Sequence, residues 1–144
     1  MMIREYKTTD SDTLIAIWRA ASAVAHSFLP DAFMGQVEQD MRNIYLPGAE
    51  TWVLEKSEKQ LGFIALVGNE IGGLFLDPEA HGQGYGRAMV DHAALIKGAL
   101  CVEVFEQNSI GRRFYDGYGF VETERYDHEP SGQWVIRMAV PNAA

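Results

Sequence analysis

The chain has 144 residues, 47% of them hydrophobic and 22% charged, which suits a single globular domain over 1–144. Twenty acidic against 12 basic residues leave a formal net charge of −8, which argues against a nucleic-acid partner and is compatible with a cationic or amine one. One cysteine, Cys101, excludes an internal disulfide, and no apolar run is long enough for a signal peptide or a membrane span, so no membrane partner and a cytoplasmic location are expected.

In chain order, the alternation in MIREYK predicts a first strand. Thr9 or Asp10 is placed to cap a helix in which Leu14, Ile17, Trp18, Ala21, Val24 and Ala25 recur at helical spacing. Pro30 suits the start of a second helix with Phe33, Val37, Met41, Ile44 and Tyr45 on one face, and PGAE ends it. TWVLEK and LGFIALVG read as a hairpin turned at SEKQ. EIGGLFLD is a further strand, in which Gly72 and Gly73 mark a bulge or a close backbone approach. After a glycine-rich turn, GRAMVDHAALIKG predicts a helix stopped by Gly98. LCVEVF is a strand, and NSIGRRFYDGY is a helix capped by Asn108. GFVETERYD and QWVIRMAV close the chain as two strands joined by HEPSG. The order β-α-α-β-β-β-α-β-α-β-β describes a mixed α/β domain with one parallel step around the glycine turn.

That turn, DPEAHGQGYGRAMV, carries Gly82, Gly84 and Gly86 at every second position between a strand and a helix. A dinucleotide fingerprint needs a small residue where Met89 stands, and a P-loop needs a G-K-[ST] ending that is absent. What remains is a turn whose amides converge on a helix N-terminus, an anion site by geometry, to which Arg87 adds charge.

The stretch LFLDPEAHGQGYGRAMVDHA resembles the acetyl-CoA signature of the GNAT superfamily of N-acetyltransferases, [Q/R]-x-x-G-x-[G/A] after a bulged strand. His81-Gly82-Gln83-Gly84-Tyr85-Gly86 matches, except that His81 stands in place of Gln or Arg. A second stretch, VFEQNSIGRRFYDGYGF, is similar to the family's later block through Asn108, Gly111, Phe114, Tyr115, Gly119 and Phe120. The W…AHSFL pattern of the first helix is similar to small single-domain bacterial members. The resemblance implies the GNAT fold, an α/β (α+β) domain with a mixed, mostly antiparallel sheet of about seven strands and helices on both faces. It also implies an acetyl-CoA-dependent N-acetyltransferase that acetylates a primary amine by direct attack in a ternary complex, as a monomer or homodimer. The acceptor would be a protein lysine, a protein N-terminus or a small amine.

The same resemblance implies residue roles. The loop from His81 through Gly82, Gln83, Gly84, Tyr85, Gly86 and Arg87 would hold the CoA pyrophosphate on its amides. Leu74, Phe75 and Leu76 would pair their backbone with the pantetheine arm as if with an added strand. Tyr115 would be the general acid toward the CoA sulfur. It lies seven residues after Asn108, so both can face one groove, and Asn108 would both cap its helix and bind pantetheine. For the base there are two candidates. Glu70 stands eleven residues before His81, the offset of a catalytic glutamate in the histone-acetyltransferase branch, and His26 lies between the two helices that wall the acceptor groove. Cys101 reads as a small core residue, the four histidines show no metal spacing, and the three tryptophans read as core or groove wall. The competing function is a non-catalytic acyl-CoA-binding or sensing module that keeps the loop but has lost turnover.

Overall fold

The structure, a computed structural model, describes residues 1–141. Strand β1 (Met2–Glu5) leads through a short 3-10 turn (Thr8–Asp10) into α1 (Ser11–Ala25). Helix α2 (Asp31–Asp40) runs on through a π turn at Met41–Tyr45 and a last turn at Leu46–Gly48. Then come β2 (Glu50–Lys56), β3 (Lys59–Val67), β4 (Glu70–Leu76), a 3-10 turn (Pro78–Ala80), α3 (Tyr85–Lys97), β5 (Cys101–Phe105), α4 (Ser109–Tyr118), β6 (Val121–His128) and β7 (Gln133–Ala139). The element order matches the expectation from sequence. The seven strands form one sheet in the order β1-β2-β3-β4-β5-β7-β6, antiparallel throughout except between β4 and β5.

Adjacent residues of the central strands face opposite layers. Val53 and Phe63 join Leu14, Ile17 and Trp18 of α1 in one core. Leu54, Ile64, Val102, Val104 and Ile136 join Met89 and Val90 of α3 and Tyr115 of α4 in the other. Each such side chain, fully buried, contributes roughly 1.5–3 kcal/mol. Among the described residues, no helix is long and apolar enough to cross a membrane.

Three local expectations change. Asp10 does not cap α1 through its side chain. Instead it is buried, and its carboxylate accepts from both terminal nitrogens of Arg4 (2.9 Å each), from Gln60 (2.6 Å) and from the Lys7 amide (2.8 Å). The bonds from Arg4 hold that carboxyl below its ordinary range. Val24 falls on the flank of α1's apolar face and is exposed, while Ile15 and Ser22 are buried. In α2 the π turn adds a residue to the helical repeat, so Ile44 and Tyr45 point outward and Leu46 takes the core position after Met41.

The glycine pair does mark a bulge. Ala65 pairs with Gly73 and Leu66 with Ile71, which leaves Gly72 without a partner. The bulge bends β4 and sets its faces: beyond it, Leu74 and Leu76 turn toward the α3 layer and Phe75 toward the α1 layer. Its partner β5 follows only briefly. The two strands pair at Glu70 with Cys101 and at Ile71 with Val102, and then separate. Strand β4 stays on β3 as far as Leu76, and β5 stays on β7 as far as Phe105, so a cleft opens between their C-terminal ends.

Candidate active site

The cleft is walled on one side by the edge of Leu74–Leu76, whose backbone has no ladder partner on its β5 side. The chain leaves β4 through Asp77, whose side chain accepts from the Glu79 amide (3.0 Å), with Pro78 opening the 3-10 turn. His81 Nε2 lies 3.3 Å from the carbonyl oxygen of Leu76 and ties the loop back to the strand end. Gly82 and Gly84 then adopt φ of +79° and +83°, and a Cβ on either would meet nothing within 4 Å. Both glycines are therefore needed for backbone conformation, in a loop that faces open space. The first bond inside α3 runs from the Ala88 amide to the Gly84 carbonyl (3.0 Å), so the amides of Tyr85, Gly86 and Arg87 precede the ladder at the positive end of the helix.

The other loop residues divide by role. Gly86 has a different reason to be small: a Cβ there would come within 3.2 Å of the Phe114 ring, so it lets α3 pack on α4. Tyr85 turns its ring into the core, where its hydroxyl accepts from Lys56 (3.1 Å), and only its backbone faces the loop. Arg87 lies over the Tyr118 ring, 4.9 Å from its centroid, and Tyr118 donates to Asp91 (2.5 Å). Gln83 is exposed.

Across the cleft, Asn108 caps α4 by accepting from the Gly111 amide (2.9 Å). A Cβ at Gly111 would lie 2.5 Å from Asn108 Nδ2, so the cap requires that glycine. The amide of Asn108 donates to His26 Nε2 (3.2 Å), which fixes the His26 proton on Nδ1. His26 ends α1 with its ring among Phe28, Phe75 and Phe105, and burial pulls its pKa down to about 4. It is thus a neutral imidazole whose acceptor nitrogen is already engaged. Tyr115 is buried against Phe114 and Phe120. Burial pushes its phenol pKa up, and among the described residues its hydroxyl makes no hydrogen bond.

Glu70 stands at the paired end of β4, beside the point where β4 and β5 separate. There it forms an ion pair with Arg137 (2.9 Å), which also binds Glu103 (3.1 Å). Cys101 belongs with this polar group and not with the core. The β5 alternation places Cys101, Glu103 and Phe105 opposite Val102 and Val104, and Arg137 Nη2 lies 3.3 Å from the Cys101 sulfur. Of the tryptophans, Trp18 is core, Trp52 packs on His92, and Trp134 is exposed. Among the described residues, no group of three His, Cys, Asp or Glu side chains is placed to hold a metal ion.

An aromatic rim was not read from the sequence. Phe28, Phe105, His128 and Phe33 succeed one another at 5.8, 6.1 and 6.1 Å between ring centroids, next to His26. They come from four separate segments, and each alone looks like an ordinary apolar or turn residue. Their only signal in the sequence is that Phe105 closes an expected strand and His128 opens the connector after another.

A family model described as an acetyltransferase (GNAT) domain matches residues 47–122. The chain is 34% identical over 132 residues to the peptidyl-lysine N-acetyltransferase YjaB of Salmonella typhimurium, covering 91% of this chain and 90% of that protein. Against YjaB of Escherichia coli it is 33% identical over 132 residues, covering 91% and 89%. The solution structure of apo-form YjaB from E. coli superposes with a TM-score of 0.88 at 31% identity, over 99% of this chain and 98% of that one. A PaiA N-acetyltransferase from Thermoplasma acidophilum in complex with coenzyme A shares the fold, with a TM-score of 0.74 at 18% identity over 94% and 96% of the two chains. The glycine loop on a bulged, splayed strand, the capped α4 and these likenesses agree, and the chain belongs to the GNAT acetyltransferases.

Proposed function

We propose that this enzyme is an acetyl-CoA-dependent peptidyl-lysine N-acetyltransferase in which the acceptor amine attacks directly in a ternary complex. The observation that carries it is the unladdered edge of Leu74–Leu76 running into a loop of open amides at the N-terminus of α3, with a buried Tyr115 on α4 whose hydroxyl has no partner among the described residues. The choice of lysine in a peptide follows the names of the YjaB relatives at 34% and 33% identity.

The residues present fit acetyl-CoA. Strand-edge groups of Leu74, Phe75 and Leu76 can hydrogen-bond an extended amide-bearing arm, and an arm of that kind is what pantetheine offers. The amides of the Gly82–Gly84 loop and of Tyr85, Gly86 and Arg87 suit a pyrophosphate, while the Arg87 guanidinium lies over the Tyr118 ring. When bound, acetyl-CoA supplies an acetyl group activated as a thioester. Tyr115 keeps its proton through the working pH range because burial disfavours the phenolate, so it can donate to the departing thiolate. Asn108 orders the mouth by capping α4 and holding His26. His26 keeps this wall neutral; to accept a proton it would have to release Asn108. Glu70 is ion-paired with Arg137, on the strand face that Phe75 shares.

The test is thiol release from acetyl-CoA with an N-terminally blocked peptide carrying one central lysine. Acetylation of that lysine is expected, with Tyr115→Phe lowering kcat by about 100-fold and leaving CoA affinity unchanged. CoA binding without turnover on any amine, indifferent to Tyr115→Phe, would instead identify a non-catalytic acyl-CoA module.

A further inference from the structure

We propose that His128 accepts the proton released by the acceptor's ammonium group at the mouth of the cleft. This rests on the lysine acetyltransferase reading above, and it assigns a residue to a step for which Glu70 is already held by Arg137 and His26 by Asn108. His128 is the last residue of β6, half-buried at the turn into β7. The buried Ser131 Oγ lies 3.2 Å from the carbonyl oxygen of His128 and 2.8 Å from its Nδ1, so one imidazole nitrogen is engaged by the turn. The Gln133 amide donates to that Oγ (3.3 Å). With the Ser131 hydroxyl donating to the His128 carbonyl, Nδ1 carries the proton and Nε2 presents a lone pair. Among the described residues Nε2 has no partner, and it is not sealed from solvent.

The surroundings suit an alkylammonium. The ring stands edge-on to Phe33 of α2 and Phe105 of β5, both uncharged, and next to Tyr126 of β6, whose hydroxyl is bound to Glu103. His26 stands behind Phe105. Aromatic faces hold a methylene stem and favour a cation at its end. The open strand face beside them carries Glu70, Glu103 and Glu124 against the single Arg137, an excess of negative charge that draws a lysine side chain in. In the step, an N–H bond of the ammonium breaks and its electron pair stays on the amine nitrogen. The proton bonds to Nε2, and the imidazolium then gives it to bulk water. The amine is left with the free pair it needs to attack a carbonyl.

The experiment compares wild type with His128→Asn, which keeps a donor for Ser131 and deletes Nε2, and with His128→Gln should the first variant not fold. Rates with the blocked lysine peptide are followed from pH 5.5 to 9, with CoA affinity as the control. The expected result is a fall of about 100-fold in kcat/KM, a changed acidic limb, unchanged CoA affinity, and partial rescue of His128→Ala by added imidazole. Activity within threefold of wild type in a folded variant, or a loss that imidazole and pH leave untouched, overturns the assignment. A wild-type enzyme that acetylates no lysine peptide defeats the parent reading instead, and the two failures are told apart before any variant is made.

Discussion

At His26 the end of α1 meets β4, β5 and the cap of α4 through one imidazole. Its burial has a consequence for stability. The folded pKa of about 4 lies below the ordinary 6.5, so between these values the unfolded chain binds a proton that the folded chain refuses. Stability from this residue is complete above pH 6.5 and is lost as pH falls through 4, about 3 kcal/mol in all. Urea unfolding at pH 7 and pH 4.5 should show a steeper loss for wild type than for His26→Gln, whose amide does not titrate. Equal losses would mean that His26 is not held neutral by burial. The same residue shows a limit of reading one dimension: a lone histidine after a helix gives no sign of which amide it will meet, and Asn108 lies 82 positions away.

At the scale of the element, the loop before α3 looks uniform in sequence and is not. Gly82 and Gly84 are needed for positive φ, and Gly86 for the approach of Phe114. Gly84→Ala introduces no collision, so its cost is the left-handed backbone alone, roughly 1–2 kcal/mol, set against the loop shape that exposes the amides. A CoA affinity about tenfold weaker with a small fall in Tm is the expected outcome, read by calorimetric titration and thermal melting. Unchanged affinity would mean that the loop amides do not hold the pyrophosphate. Helix α2 gives the matching lesson in patterning. A strict 3.6-residue period put Ile44 and Tyr45 on the core face, and one π turn moved them outward.

For the whole molecule, the separation of β4 from β5 after two paired residues matters most. It leaves strand-edge groups facing a cleft inside a sheet that is otherwise continuous. A ligand that pairs with that edge binds the folded chain and not the unfolded one. CoA at a hundred times its Kd is therefore expected to add about 2.7 kcal/mol to the stability, measured as a shift in the urea midpoint. No shift with CoA would leave the cleft without its proposed occupant. The strand order also sets the electrostatics: α1 and α2 cover the β1–β4 part of one face and leave Glu103, Glu124 and Arg137 on the β5–β7–β6 part beside the aromatic rim.

The sequence by itself determined the order of the elements, the glycine pair that interrupts β4, the turn glycines, the Asn108 cap and the family, because each depends on residues a few positions apart. Periodicity, left-handed turns and caps are local physics, legible in one dimension. The tertiary structure decided which side chains converge. It bound Glu70 to Arg137, buried and neutralised His26 against Asn108, drew Cys101 out of the core, and set His128 among rings from two other elements. These depend on strand order and on which face each residue takes after the bulge, and no spacing within a segment carries that information.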